Sequence, residues 1–378
     1  MNGTDQRLMC LSRRIWTDGP TYMEVLQVYR EIIGAWLGIP IMLIGTVTSL
    51  LSLWMFSVDR STPRTTRFLL IAVSASDALF LPFAAMHILT YAFCPKSCRL
   101  ASPLNMFLLA SIARIFGNLF EIFRNWIMVL IGIERYVITR HPLKSKQWWT
   151  PRKTCQLVLY IALLCLVVRV PTFTEAVMYA LDDENNTAIM TKISRAHTVI
   201  DSIFLTLLPL SVLSFCGLRI LIIIKRTQRL VVFVGSSFTS RCMHRHKARS
   251  RYRVNQVLLI SMITFAAFML PYVPLSVLQW TVWRKDVQPS CAVIVAEYVL
   301  AYLSTLGTLL NSTANFFVYV FYWEKYRKMI AEMLCRYKYG SRKCSSLTLS
   351  LNTPEAALPG AAVQNGETVR ASLLGGGS

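Results

Sequence analysis

Residues 33–57 read IGAWLGIPIMLIGTVTSLLSLWMFS and contain no charged side chain. As a helix this stretch is about 37 Å long, which exceeds the roughly 30 Å hydrocarbon core of a bilayer. An unclosed strand would leave backbone groups without partners in lipid, so a helix is the form to expect. The stretch therefore predicts a membrane-spanning helix.

Six more apolar stretches of comparable length follow. In chain order the seven stretches are 33–57, 67–91, 104–134, 154–178, 199–224, 255–281 and 293–321. The 378-residue chain is 54% hydrophobic and 16% charged, a composition that suits a bilayer rather than water. The sequence predicts an all-α integral membrane protein, a bundle of seven transmembrane helices.

Basic loops predict the orientation of this bundle. From Arg219 to Arg253 there are ten Lys or Arg and no acid, and residues 135–153 and the stretch after Lys325 are similarly basic. Such segments stay in the cytosol, so we expect a multi-pass plasma-membrane protein with an extracellular N-terminus. The net charge of +21 is spread over these loops rather than gathered in one patch, so no nucleic-acid partner is expected.

The chain divides into four predicted segments. They are an extracellular N-terminal segment at 1–32, the seven-helix domain at 33–322, an amphipathic eighth helix on the membrane surface at 323–336 and a disordered cytoplasmic tail at 337–378. Asn2 and Asn185 begin glycosylation sequons on the predicted outer side. Cys335 is a candidate palmitoylation site, with an unmodified cysteine as the alternative.

The cysteines predict disulfides rather than a metal site. Four lie in predicted outer segments: Cys10, Cys94, Cys98 and Cys291. Three pairings are possible, and Cys94 with Cys98 and Cys10 with Cys291 fits their neighbourhoods best. The ten cysteines of the chain lack zinc-like spacing, and no catalytic or nucleotide-binding motif is present. We therefore expect no metal, no cofactor and no enzymatic activity.

The third stretch ends in a motif that points to a family. Glu134-Arg135-Tyr136 is followed by His141-Pro142-Leu143, and this resembles the (D/E)RY and PL signature of rhodopsin-like G-protein-coupled receptors. The resemblance implies that Arg135 is held by Glu134 in the inactive state and released to meet a heterotrimeric G protein. It also implies contact of Leu143 with that partner, and arrestin as a further partner.

The seventh stretch carries a second match. Residues 311–319, NSTANFFVY, look like the family's NSxxNPxxY segment, with Phe316 in place of proline. This form, followed by Trp323 to Arg327, is similar to the invertebrate FMRFamide and myosuppressin receptors, which implies a neuropeptide ligand. The resemblance covers about residues 33–335 and assigns these residues to a polar core and activation machinery: Asp77, Arg124, Phe265, Met269, Pro271, Asn311, Ser312, Asn315 and Tyr319.

Several positions depart from the family pattern. Met269 replaces the tryptophan two residues before Pro271, so the usual aromatic switch is absent. The usual cysteine of the third stretch is Ala110, and the loop that would hold its partner has none. These departures leave the fold expectation intact but raise the alternative of a receptor-like scaffold with weak G-protein coupling. A transporter is a less favoured alternative, because no inverted repeat is visible.

Arg124 is the least ordinary of the core residues. It lies eleven positions before Arg135, about three helical turns, and so on the same inward face. The family usually has a small hydroxyl residue there, which joins the second-helix acid around a sodium ion. We expect the Arg124 guanidinium to replace sodium and bind Asp77, with Glu121 sharing or competing for it. Lipid-facing snorkelling is the alternative.

A ligand pocket in this fold opens outward between the helices. The polar residues expected to face it are His87, Arg114, Asn118, Glu121, Asp201, Gln279 and Glu297. The three acids favour a peptide ligand with a basic residue, drawn to Asp201 or Glu297. Internal pairing is the alternative, with Glu121 reaching Arg124 and Arg114 absorbing another acid.

Overall fold

The fold is a bundle of long helices. The computed structural model describes Ser12 and residues 21–93, 103–180, 187–233, 242–282 and 290–335. Within these residues seven helical segments are long and apolar enough to cross a membrane: Tyr22–Val58, Arg64–Thr90, Leu108–Arg140, Pro151–Met178, Lys192–Arg226, Asn255–Trp280 and Cys291–Tyr322. They are called the first to seventh spans below. The predicted seven-helix membrane fold is confirmed.

Several spans are built from more than one helix. In chain order the helices are Tyr22–Arg30, Glu31–Gly38, Ile39–Val58, Arg64–Phe93, Pro103–Arg140, Ser145–Trp148, Pro151–Val168, Val170–Ala180, Thr187–Asp201, Ser202–Leu207, Leu208–Phe233, Cys242–Met269, Tyr272–Val282 and Cys291–Tyr322. Residues 324–335 are helical as well. That this last helix lies on the membrane surface stays a prediction.

The first helix begins eleven residues before the predicted span, at Tyr22. Thr21 caps it, because the Thr21 hydroxyl accepts a hydrogen bond from the Glu24 amide at 3.2 Å and the Glu24 carboxylate accepts one from the Thr21 amide at 2.8 Å. This reciprocal arrangement satisfies amide groups that a helix start leaves open. The added turns pack against the seventh span, where Leu26 contacts Ile294.

Prolines account for the irregular turns of the first and fifth spans. Glu31–Gly38 and Ser202–Leu207 are π-helical, and each is followed within two residues by a proline, Pro40 and Pro209. Proline has no amide hydrogen, so a carbonyl one turn earlier loses its partner. A widened turn re-aims such carbonyls toward other donors.

In the fifth span those donors come from the third span. The Asn125 amide nitrogen donates to the Leu205 carbonyl at 3.0 Å, and the Trp126 indole nitrogen donates to the Phe204 carbonyl at 3.1 Å. These carbonyls lie four and five residues before Pro209. They are the groups that would accept the amide hydrogen of residue 209 in an α-helix and in a π-helix, and proline has no such hydrogen. Two consecutive side chains of the third span thus complete the backbone of the fifth.

The sixth span breaks at Pro271, between the helices Cys242–Met269 and Tyr272–Val282. Close to this break the seventh span approaches the sixth through Gly307. A Cβ atom on Gly307 would overlap the Phe268 carbonyl group, which is backbone and cannot rotate away. Only glycine allows this approach.

We expect Gly307→Ala to lower the free energy of unfolding by about 1 to 3 kcal/mol, because it forces the two backbones apart. Gly217→Ala is the matched control, since a Cβ there would meet the Leu259 Cδ1 atom at an ordinary 3.8 Å. That control should be neutral or stabilising by up to about 1 kcal/mol, the usual gain of Gly to Ala in a helix. Thermal unfolding of the purified protein in detergent measures both; equal melting temperatures would contradict the close approach.

Candidate functional site

The centre of the bundle contains a fully buried arginine. Arg124 Nη1 lies 3.5 Å from Asp77 Oδ1 and also donates to the Ser312 hydroxyl. Its Nε and Nη2 donate to Asn125 Oδ1 at 3.2 and 3.0 Å. The Arg124 side chain therefore links the third span to the second and seventh, and the snorkelling alternative does not apply.

The Asp77 carboxylate is bound from two sides. Its Oδ2 accepts a hydrogen bond from the Asn315 side-chain amide at 3.1 Å, and Asn315 Oδ1 accepts one from the Ser261 hydroxyl at 3.3 Å. The polar core thus reaches the sixth span as well. Asn311 is also buried, but its Nδ2 has no hydrogen-bond partner among the described residues. The Arg124 guanidinium thus places a positive charge beside the Asp77 carboxylate; that it takes the place of a sodium ion stays a prediction.

A second buried ion pair lies where the third span ends. Arg135 Nη2 is 3.5 Å from Glu134 Oε2 and also donates to the Thr66 hydroxyl. The same hydroxyl donates to both Glu134 oxygens, at 3.1 and 3.2 Å. Arg135 Nη1 reaches Asn255 Oδ1 of the sixth span at 3.5 Å. Thr66 was not singled out in the sequence, yet its hydroxyl bridges both members of the pair.

The residues around this pair differ in exposure. Tyr136 packs against Phe215 with ring centroids 6.2 Å apart. Leu143 is 88% exposed, an apolar side chain in an otherwise basic segment. Tyr319 is buried and meets the Phe56 ring edge-on at 5.2 Å.

The remaining residues that the resemblance assigns to activation lie in the sixth span. Phe265 and Met269 are fully buried. Met269 Sδ is 3.9 Å from the Thr308 hydroxyl, so the position of the usual tryptophan faces the seventh span. Pro271 stands at the break of the sixth span.

Asp59 forms a polar cluster at the same end that sequence reasoning missed. Its carboxylate accepts hydrogen bonds from the Ser61 amide at 2.8 Å, the Thr62 hydroxyl at 2.6 Å, the Tyr326 hydroxyl at 2.9 Å and the Lys325 amine. Burial by itself would raise the pKa of Asp59, but these donors outweigh it and hold the pKa well below its usual value. The only signal in the sequence was a single acid among basic residues.

At the opposite end, Asp201 is already paired. Arg169 Nη1 lies 2.7 Å from Asp201 Oδ1, and His197 Nε2 lies 3.1 Å from Asp201 Oδ2. Arg169 stands at the break between the two helices of the fourth span, just before Pro171. The expectation that Asp201 awaits a basic ligand group did not consider this arginine. For Asp201 the structure has the internal pairing that was the alternative.

The other expected pocket residues are scattered. His87 Nδ1 lies 3.3 Å from the Ala110 carbonyl. Arg114 is exposed, while Asn118, Gln279 and Glu297 are half-buried. Glu121 is buried and accepts a hydrogen bond from the Thr308 hydroxyl at 3.3 Å. The alternative pairing of Glu121 with Arg124 is not formed among the described residues, since the Arg124 guanidinium binds Asp77.

A cavity of about 570 Å³ lies between the first and second spans. Its lining is apolar apart from Thr46 and Thr90, whose hydroxyls donate to carbonyls of their own helices. The lining described here therefore has no charged group that would bind a charged ligand.

Of the modification sites, only two cysteines lie within the described residues. Cys291 is disulfide-bonded, and Cys335 is a free thiol of intermediate exposure. Cys10, the expected partner of Cys291, lies outside the described residues. The same holds for Cys94, Cys98, Asn2 and Asn185. Within the described part of the chain, no group of three or more His, Cys, Asp or Glu could hold a metal ion.

We expect Arg124→Ala to lower the free energy of unfolding by about 3 to 5 kcal/mol, because it leaves the Asp77 carboxylate buried without a cation. The double variant Arg124→Ala/Asp77→Asn should lose less, since it leaves no unpaired charge. Thermal unfolding in detergent measures both. The unchanged protein should melt at the same temperature in sodium and potassium chloride, because the guanidinium fills the place of the cation. A selective stabilisation by sodium would contradict this reading.

Comparison with known proteins places the chain in a family. Melanopsin-A of Gadus morhua is 22% identical over 222 residues, which cover 57% of this chain and 38% of that protein. The GQ-coupled rhodopsin of Mizuhopecten yessoensis is 22% identical over 268 residues, 68% of this chain and 51% of that protein. The chain thus aligns with about half or less of the length of these relatives. The model of the family described as 7 transmembrane receptor (rhodopsin family) matches residues 48–319, and the chain belongs to that family.

Proposed function

We propose that the chain is a plasma-membrane receptor with an extracellular N-terminus that binds a ligand within the bundle and activates a heterotrimeric G protein. One observation carries the proposal: the buried Glu134–Arg135 pair is bridged by Thr66 near the end of the third span, and the exposed Leu143 follows directly after that span. This end of the bundle bears the basic loops, which predict the cytosolic side.

The Glu134–Arg135 pair is suited to a switch between a closed and an open bundle. Arg135 is only 5% exposed, so its charge depends on Glu134 and Thr66 while the bundle is closed. Separation of the helices would hydrate the guanidinium and free it for a partner. Leu143 adds an apolar contact that water does not favour. The family resemblance also implies arrestin as a partner at this end, which stays a prediction.

The ligand is proposed to be a neuropeptide on the motif resemblance of residues 311–327. The relatives named above are called melanopsin and rhodopsin, which raises light reception as a second candidate. A chromophore held as a Schiff base to its aldehyde needs a lysine amine inside the bundle. The three lysines within the seven spans, Lys153, Lys192 and Lys225, are exposed and lie in the first or last turn of their spans. No lysine amine is therefore placed inside the described part of the bundle, which favours the neuropeptide proposal over that mode of light reception.

The alternative of a weakly coupling scaffold rests on Met269, which stands where the aromatic switch is expected. Met269 is fully buried and contacts Thr308, so the position is packed although its side chain differs. A transporter is not favoured by any contact among the described residues. Basal G-protein activation distinguishes these functions.

We expect Thr66→Val to raise basal nucleotide exchange on heterotrimeric G proteins, because it removes the hydroxyl that bridges Glu134 and Arg135 while keeping the side-chain volume. Arg135→Ala should abolish this exchange, both as a single substitution and when combined with Thr66→Val. Purified protein in nanodiscs, assayed with each G-protein class, provides the measurement.

Arg152→Ala is the matched control, because Arg152 is an exposed arginine at the same basic end. It should leave exchange unchanged. If Thr66→Val and Arg135→Ala both behave like this control, with normal surface expression, the proposed coupling is wrong.

A further inference from the structure

Asp59 connects three parts of the chain at the basic end of the bundle. It follows the last residue of the first span and begins a short loop at residues 59–63, called the first loop below. Its buried carboxylate accepts hydrogen bonds from the first loop and from residues that directly follow the seventh span. The donors are Ser61, Thr62, Lys325 and Tyr326. One anion therefore holds the end of the first span, the first loop and residues 325–326 together.

Tyr326 extends this contact to the seventh span. Its ring is fully buried and meets the Phe56 ring edge-on, with the centroids 5.3 Å apart. The Phe56 ring meets the Tyr319 ring in the same way, at 5.2 Å. Phe56 lies three positions before Asp59, so the end of the first span binds both the ring and the hydroxyl of Tyr326. Since buried side chains are close-packed, a displacement of Tyr326 is passed to Tyr319 through a single ring.

The main chain of Asp59 makes a second contact, to the start of the second span. Arg67 Nη1 donates to the Asp59 carbonyl at 2.7 Å. Arg67 directly follows Thr66, and both lie in the first turn of the second span. The Thr66 hydroxyl is the group that bridges Glu134 and Arg135. Asp59 thus contacts the same helical turn that carries this bridge.

The two contacts depend on each other because they belong to one residue. A carboxylate removed from water must keep its donors, so the Asp59 side chain follows Tyr326 when that residue moves. The Ser61 amide and the Thr62 hydroxyl bind the same carboxylate from within the first loop, which makes the loop follow as well. The Asp59 carbonyl moves with its loop and takes the Arg67 contact with it. A shift after the seventh span therefore reaches the start of the second span.

We propose that Asp59 is a positioning residue that makes two parts of the closed bundle open together. One part is the Tyr319 packing at the end of the seventh span, and the other is the Glu134–Arg135 pair bridged by Thr66. The proposal rests on the proposed function, because release of this pair is what activates the G protein. It gives the first loop a part in coupling that neither motif of the family resemblance contains.

A double-substitution cycle in basal nucleotide exchange tests the link. Tyr326→Phe removes the hydroxyl that binds Asp59 and keeps the ring against Phe56, while Thr66→Val removes the bridge at the other end. Each substitution should raise basal exchange on heterotrimeric G proteins. Combined, they should raise it less than the product of their single effects, by about twofold or more, because only sites without a shared partner act independently.

Asp59→Asn identifies the residue that transmits the effect. It should raise basal exchange by itself, because it removes the charge that holds Lys325 and Tyr326. In the Asp59→Asn background the effects of Tyr326→Phe and Thr66→Val should multiply. Tyr322→Phe is the matched control, since Tyr322 is a 57% exposed tyrosine at the end of the seventh span. It should leave exchange unchanged, alone and together with Thr66→Val.

Two results would overturn the proposal. One is a product of single effects for Tyr326→Phe and Thr66→Val in the unchanged protein, and the other is a departure from the product that persists with Asp59→Asn. The first comparison needs only two conservative substitutions, so it stays decisive if Asp59→Asn folds poorly.

Melting temperatures of the same samples in nanodiscs separate this link from the fate of the proposed function. A chain that activates no G protein would show no exchange in any variant, which would overturn the proposed function alone. The cycle then reads on stability: shifts of the melting temperature that depart from the sum for Tyr326→Phe and Thr66→Val support the link through Asp59, and additive shifts remove it.

Discussion

Charge neutralisation in a water-poor interior is the constraint on which the bundle depends. Each buried charge must be paired by a side chain of opposite charge or bound by hydrogen-bonding groups. Arg124 meets this requirement with Asp77, and in doing so ties the third span to the second and the seventh. The contacts that neutralise the charges of the core therefore also hold these helices together.

The two ends of the bundle satisfy the constraint in different ways. At the basic end, Asp59 and Glu134 are surrounded by donors from several segments, including Lys325, Tyr326 and Thr66. At the opposite end, Asp201 is paired with Arg169 and His197. The acids of the basic end are thus bound largely by hydroxyl groups, while Asp201 is bound by an arginine and a histidine.

The sequence predicted what depends on length and periodicity. Seven apolar stretches sufficed for the seven spans, and the helical repeat placed Arg124 on the face that meets Asp77. It failed where partners come from distant segments. Arg169 was not considered as a partner of Asp201, because its orientation depends on the helix break before Pro171. The capped start at Tyr22 was missed because hydropathy does not register a polar capping box.

The third span bonds to its neighbours through three consecutive residues. Arg124 reaches Asp77, while Asn125 and Trp126 donate to the two carbonyls near Pro209. A rotation of the third span about its own axis would move all three side chains together. The turn of the fifth span before Pro209 would then lose its donors in the same motion that opens the polar core. A rotation of the third span would thereby change the helical pitch of the fifth span, without a large displacement of any side chain.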